Sequence, residues 1–285
     1  MPETARRPSW RKVLGRWAGF ALLIASLIYL GRALAKLDLG PLILALGWQD
    51  WLAAAILSVV YAASLGLLAK AWTALASPRR RLAFAEVYAI YGPGVMAKYL
   101  PGSVFQYVSR QVIGQRHGLE HRAMVRASVV EAALHVGIAV TLAAFLQAGM
   151  GWWAAAGTIA AGTVLAIKPS RPLMAGLAWQ LLFFGIYAGS IIALGTLSTL
   201  ANDPGRLAGR FFLAWTAGLL VPVAPGGVGV REAVLLAIAV PGENAGAVAL
   251  LALLARLVCL AGDALFGGLS YLVASRSTRE NRQAF

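Results

Sequence analysis

GRFFLAWTAGLLVPVAPGGVGVREAVLLAIAV, residues 209–240, is apolar along most of its length yet crowded at its centre with Pro222, Pro225, Gly226, Gly227 and Gly229. Proline removes a backbone donor and clashes with the preceding turn, so no straight helix is expected to run through this stretch. A second stretch has the same character: FAEVYAIYGPGVMAKYLPGSVFQYVSRQVI, residues 84–113, with Pro93, Pro101 and Gly102 in its interior. Backbone freed by such breaks cannot face lipid and must be buried in protein or line a polar cavity.

Around these two segments the chain reads as membrane-spanning helix. Windows of about 20 apolar residues, enough to cross a bilayer, fall near 17–36, 51–76, 123–147, 151–167, 173–199 and 246–273. Of the 285 residues 60% are hydrophobic and 13% charged, with a mean hydropathy of +0.73. Soluble domains carry about 25% charged residues, so a soluble globular, disordered or collagen-like chain is excluded. The net charge of +14 belongs to loops that collect Lys and Arg beside anionic headgroups, and no nucleic-acid partner is expected. The single cysteine, Cys259, lies in an apolar run and excludes an internal disulfide. The first span follows a basic segment (Arg6, Arg7, Arg11, Lys12, Arg16) and ends near Ala33-Leu34-Ala35; with Arg32 in that region and further spans beyond, it reads as an uncleaved anchor.

The positive-inside rule orients the chain. The N-terminal cluster, Arg79–Arg81, Arg116, Arg122, Arg126, Lys168, Arg171 and Arg276, Arg279 and Arg282 fall on one side; Lys36, Arg206, Arg210, Asp38, Asp50 and Asp203 fall on the other. Both termini are then cytoplasmic, in a cell (inner) membrane. This alternation closes only if 84–113 and 209–240 each enter and leave on one face, the first from inside and the second from outside. The expected fold is therefore an all-α polytopic protein of about six spans with two opposed re-entrant helical hairpins. It forms a single transmembrane domain over 1–285: a basic segment 1–16, halves 17–147 and 151–273 related as an inverted repeat, and a basic tail 274–285. Paired Gly/Pro-interrupted segments in two halves point to a transporter's binding site.

Ionisable residues at membrane depth are costly and default to functional candidates. They are Lys98 and Arg110 around the first break, Arg231 and Glu232 after the second, Glu131, and Arg256 with Asp263 two turns apart on one helix face. The alternative role of each is an internal ion pair that holds helices together. Four basic groups against three acidic ones leave a surplus positive charge for an anion. In Pro225-Gly226-Gly227-Val228-Gly229-Val230-Arg231-Glu232 the glycines permit a tight turn and the following apolar run opens a helix. Its free N–H groups and the Arg231 fork suit phosphate oxygens; the bland reading is a hairpin tip with Arg231 and Glu232 paired elsewhere. His117-Gly118-Leu119-Glu120-His121 spells a zinc-peptidase pattern, but Gly118 and the short basic setting favour a solvated loop. No metal or cofactor is expected. His135 follows Glu131 by one turn, and Gly185-x-x-x-Gly189 reads as close helix packing.

The segments AKYLPGSVFQYVSRQ (97–111), VVEAAL (129–134), PVAPGGVGVREA (222–233) and LLARLV (253–258), in that order, resemble the flippase-like membrane family, also described as the lysylphosphatidylglycerol synthetase transmembrane region. The matching positions are Pro101, Gly102 and Arg110; Glu131; Gly226, Gly227, Gly229, Arg231 and Glu232; and Arg256. Ala132 stands where members of that family often carry Arg. The resemblance implies handling of lipids or lipid-linked sugars. The soluble aminoacyl-transfer domain of larger members has no counterpart here, so lipid lysinylation is not expected of this chain alone.

The expected function is translocation of an anionic lipid or polyprenyl-phosphate-linked sugar, not catalysis. The substrate-binding set is Lys98, Pro101, Gly102, Arg110, Glu131, Gly226, Gly227, Gly229, Arg231, Glu232, Arg256 and Asp263. The alternative is an accessory that presents a lipid-linked substrate to a partner glycosyltransferase. An intramembrane enzyme acting on lipid phosphate is disfavoured, because the sequence offers no nucleophile–base pair.

Overall fold

A computed structural model describes residues 40–99, 104–169, 171–198, 201–221, 224–240 and 243–283, with positions 28 and 32. The span expected over 17–36, the basic segment 1–16, and Pro101 and Gly102 lie outside the described residues.

Within them every regular element is a helix: α1 (Gly40–Ala45), α2 (Trp48–Ala76), α3 (Phe84–Ala97), α4 (Phe105–Arg116), α5 (His121–Gln147), α6 (Gly151–Ile167), α7 (Pro172–Leu197), α8 (Pro204–Leu220), a 3-10 turn (Pro225–Gly227), α9 (Val230–Ala237) and α10 (Ala245–Gln283). Carboxylates and prolines set the starts. Asp50, Glu86 and Glu232 each accept the backbone N–H three residues earlier, from Gly47, Ala83 and Gly229, at 2.8, 2.9 and 2.8 Å. Asp203 accepts the Arg206 N–H at 2.9 Å, and Pro172 and Pro204 occupy first-turn positions where their missing donor costs nothing.

Four helices, α2, α5, α7 and the Ala245–Ser275 part of α10, are long and apolar enough to cross a bilayer. Large apolar side chains cover their outer faces too: Val59, Val129, Leu257 and Leu269 are all exposed. Such a surface is a liability in water and ordinary against lipid. The chain thus has the build of a membrane-embedded protein. α6, with 17 residues, is shorter; it lies close along α7, where Gly185 meets Ile159 and the Ala155 carbonyl so tightly that a Cβ would overlap them.

Each interrupted segment folds as two helices packed together, α3 on α4 and α8 on α9. The open ends of the first meet, because Arg80 before α3 donates to the His117 carbonyl after α4 at 2.8 Å. Those of the second meet through a part-buried ion pair between Arg210 of α8 and Glu243, beyond α9. At the other end of the bundle from Arg80, Gln147 of α5 donates to the Arg206 carbonyl at 3.1 Å. Packing is reciprocal: α10, which follows the second segment, lies on α3, while α5, which follows the first, lies on α8.

Two expectations need adjustment. Gly92-Pro93-Gly94 does not break its helix; α3 runs through it, and the interruption begins at Lys98. Gly92 is pressed against Ser270 of α10, so interhelical contact holds the turn that the proline ring weakens. The last helix does not stop at 273 but continues to Gln283, through Arg, Glu and Gln residues that are good helix formers.

Candidate functional site

The two interruptions touch. The Gly226 N–H donates to the Lys98 carbonyl at 2.9 Å, and the Arg256 guanidinium of α10 donates to the Gly226 carbonyl at 3.0 Å. Gly226 has φ 58°, and a Cβ there would stand 2.9 Å from the Tyr99 ring. Both the left-handed backbone and the close approach require glycine.

Beside this junction lies a cavity of about 180 Å³. Its walls include Tyr61 of α2, Glu131 and His135 of α5 and Phe183 of α7, each near the middle of its helix, and Arg256 and Asp263, which straddle the midpoint of the apolar part of α10. It therefore sits at mid-depth in the bundle. It holds several waters, at about 30 Å³ each, or a phosphate-sized group, but it is smaller than the roughly 300–1,000 Å³ of whole-ligand pockets.

Of the residues singled out from sequence, Lys98, Arg110, Glu131, Gly226, Gly227, Arg231, Arg256 and Asp263 all line this space. Gly229 and Glu232 do not. Glu232 is buried, but its carboxylate is spent on the Gly229 N–H at the start of α9. This places one anion at the helix N-terminus that was expected to receive phosphate, and removes one carboxylate from the cavity. Four cations, Lys98, Arg110, Arg231 and Arg256, then face two carboxylates, Glu131 and Asp263.

The cations differ in their commitments. Arg110 pairs with Glu131 at 2.6 Å, both side chains 5% exposed, while Tyr91 donates to the other Glu131 oxygen at 2.9 Å. Its guanidinium also lies 3.8 Å from the Tyr91 ring centre. Arg110 is thus a structural partner as well as a wall of the cavity. Asp263, adjacent in helical phase to Arg256, turns instead to the first segment: it takes the Lys98 ammonium at 2.7 Å and the Tyr99 hydroxyl.

Arg231 and Arg256 have no carboxylate within ion-pair distance among the described residues. Arg231 bends over Gly218 and Gly227, where a Cβ would collide with it, and lies 5.3 Å from the Trp215 ring centre. Arg231 Nε and Arg256 Nη2 are buried without a hydrogen-bond partner. A buried donor left like this costs about 1–3 kcal/mol unless water or an anion answers it. Among the described residues, no group of His, Cys, Asp and Glu is arranged to hold a metal; His117 closes α4 and bonds the Ile113 carbonyl, while His121 opens α5.

No known protein family, curated protein or solved structure matches the chain. Sequence reasoning missed the aromatic lining, Tyr61, Tyr91, Tyr99, Tyr107 and Trp215. Its only signal was the YxxxxxxxY spacing of Tyr91 and Tyr99 around the first break and of Tyr99 and Tyr107 across it.

Proposed function

We propose that this chain passes the phosphate-bearing headgroup of an anionic lipid, or of a polyprenyl-phosphate-linked sugar, through the mid-depth cavity while the hydrocarbon chains stay in the bilayer. In this reading it is a member of the flippase-like family and no enzyme. The observation that carries it is the pair of guanidiniums without a carboxylate partner among the described residues, Arg231 and Arg256, at the contact between two broken segments. Lys98 lines the same space and adds a third cation, while Gly226 and Gly227 let the backbone turn close beside it. A cavity too small for a whole lipid suits a group that brings acceptor oxygens to these donors and leaves its tails outside.

The proposed topology has about six spans in the inner membrane, cytoplasmic termini, and α3–α4 and α8–α9 as re-entrant hairpins of opposite orientation. Their closed open ends support it, as does the charge asymmetry. The exchange of partners, α10 on α3 and α5 on α8, is what a two-fold inverted repeat produces.

Flux of a fluorescent anionic phospholipid across vesicles containing only this protein tests the proposal. Arg231→Gln and Arg256→Gln should each slow flux at least tenfold with the protein still monodisperse. Arg231→Lys should keep part of it, since Lys supplies charge without the bidentate fork. Absence of flux with lipid still bound would favour the accessory role beside a glycosyltransferase, and turnover of the lipid phosphate would overturn the non-enzymatic reading.

A further inference from the structure

A second concavity, of about 1000 Å³, opens at the Arg79–Arg81 end of the bundle and shares no lining residue with the central cavity. Its floor is the face of α2 from Ala63 to Ser77, and its sides are the starts of α3 and α7. The deep part is apolar, with Leu67, Val87 and Tyr88, whereas Arg79, Arg80, Arg81 and Arg171 ring the mouth. Among the described residues no carboxylate lines it. Arg80 is committed to Glu86 and the His117 carbonyl, but Arg79, Arg81, Arg171 and Lys70 have no acidic partner among the described residues. Lys70, midway down, rests its ammonium 4.8 Å from the Trp179 ring centre.

The dimensions identify an occupant. From Ser77 to Ala63 the helix rises about 21 Å at 1.5 Å per residue. One leaflet, headgroups included, is about 20–22 Å deep. We infer that this groove is a second lipid site, holding one anionic diacyl phospholipid with its phosphate among Arg79, Arg81 and Arg171 and an acyl chain along α2. A water-soluble anion would fill the mouth and leave the apolar depth empty; a zwitterionic lipid would fill the depth but bring an ammonium beside the arginines along with its phosphate. Basic pockets between transmembrane helices are suited to such headgroups. The site does not depend on transport through the central cavity.

Native mass spectrometry of the full chain in detergent, with phosphatidylglycerol or phosphatidylcholine added, reads the site directly. The wild type should retain phosphatidylglycerol in preference to phosphatidylcholine. The combined Arg79→Gln, Arg81→Gln, Arg171→Gln variant should hold one lipid fewer, with affinity for it lowered roughly 10- to 100-fold. Ala175→Trp, which fills the groove and keeps every charge, should lose the same lipid, while Arg231→Gln should keep it. Glycerol phosphate without chains should not compete. Equal retention by the triple variant, equal retention of phosphatidylcholine, or displacement by glycerol phosphate would each overturn the inference.

Discussion

Glu131→Gln strands a buried cation. In the native protein the Arg110 guanidinium sits 2.6 Å from a Glu131 oxygen, each side chain 5% exposed, and Tyr91 completes the carboxylate's hydrogen bonding. Gln supplies a carbonyl to one of those donors but no charge. Removing one partner of a buried ion pair costs about 3–5 kcal/mol. The face of Tyr91, 3.8 Å from the guanidinium carbon, offsets about 1 kcal/mol of it. A net loss of about 3 kcal/mol corresponds to a fall in Tm on the order of 6–12 °C. Arg110→Met with Glu131→Leu removes both charges and should recover most of that loss, because the pair's desolvation cost disappears with it. Thermal unfolding in detergent, followed by size-exclusion, of wild type, Arg110→Met, Glu131→Leu and the double variant gives all four corners of the cycle, with Glu131→Gln measured beside it. If Glu131→Gln unfolds within about 2 °C of wild type, or the double variant loses the sum of the singles, the pair is not the buried, mutually dependent contact described.

Further outcomes follow from other contacts. Gly226→Ala combines φ 58° with a Cβ 2.9 Å from the Tyr99 ring, so it should lower stability by about 1–2 kcal/mol and part the Lys98 junction, seen as lost flux in protein that remains monodisperse. Gly185→Leu should lower Tm by more than Ala143→Gly, since it drives a side chain into Ile159 and the Ala155 carbonyl, whereas the latter removes a single methyl. With Cys259→Ala as background, an impermeant thiol reagent outside intact cells should label Asn202→Cys and Asn244→Cys and spare Ser77→Cys and Gln115→Cys; Ser77 and Gln115 on opposite sides would sink the hairpin topology.

The long helices were legible because bilayer length and apolar composition constrain them strongly. The span expected over 51–76 is α2 at Trp48–Ala76, and that over 123–147 is α5 at His121–Gln147. Pro93 was harder, since what decides whether proline breaks a helix is the packing around it, and Ser270 comes from the far end of the chain. The cavity's membership was largely readable from intramembrane charge alone. Its pairing was not: Lys98 finds Asp263 across the whole second half, and Glu232, sequence neighbour of Arg231, points to its own helix start instead. Local spacing specifies which residues share a helix face, but only the crossing of helices specifies which charges meet.

The contacts around Gly226 form a closed triangle with α10 at one corner. Asp263 holds the first segment by Lys98, Arg256 holds the second by the Gly226 carbonyl, and the third side is a single hydrogen bond between the segments themselves. That bond contributes only about 0.5–1.5 kcal/mol net. An anion that claims Lys98 competes with Asp263, and one that claims Arg256 competes with Gly226, so occupancy draws on the same groups that fasten both segments to their common post. Filling the cavity and releasing the segments are then linked functions of one equilibrium, and whatever affinity a headgroup gains is diminished by the fastening it undoes. An anion bound there would be held loosely by construction.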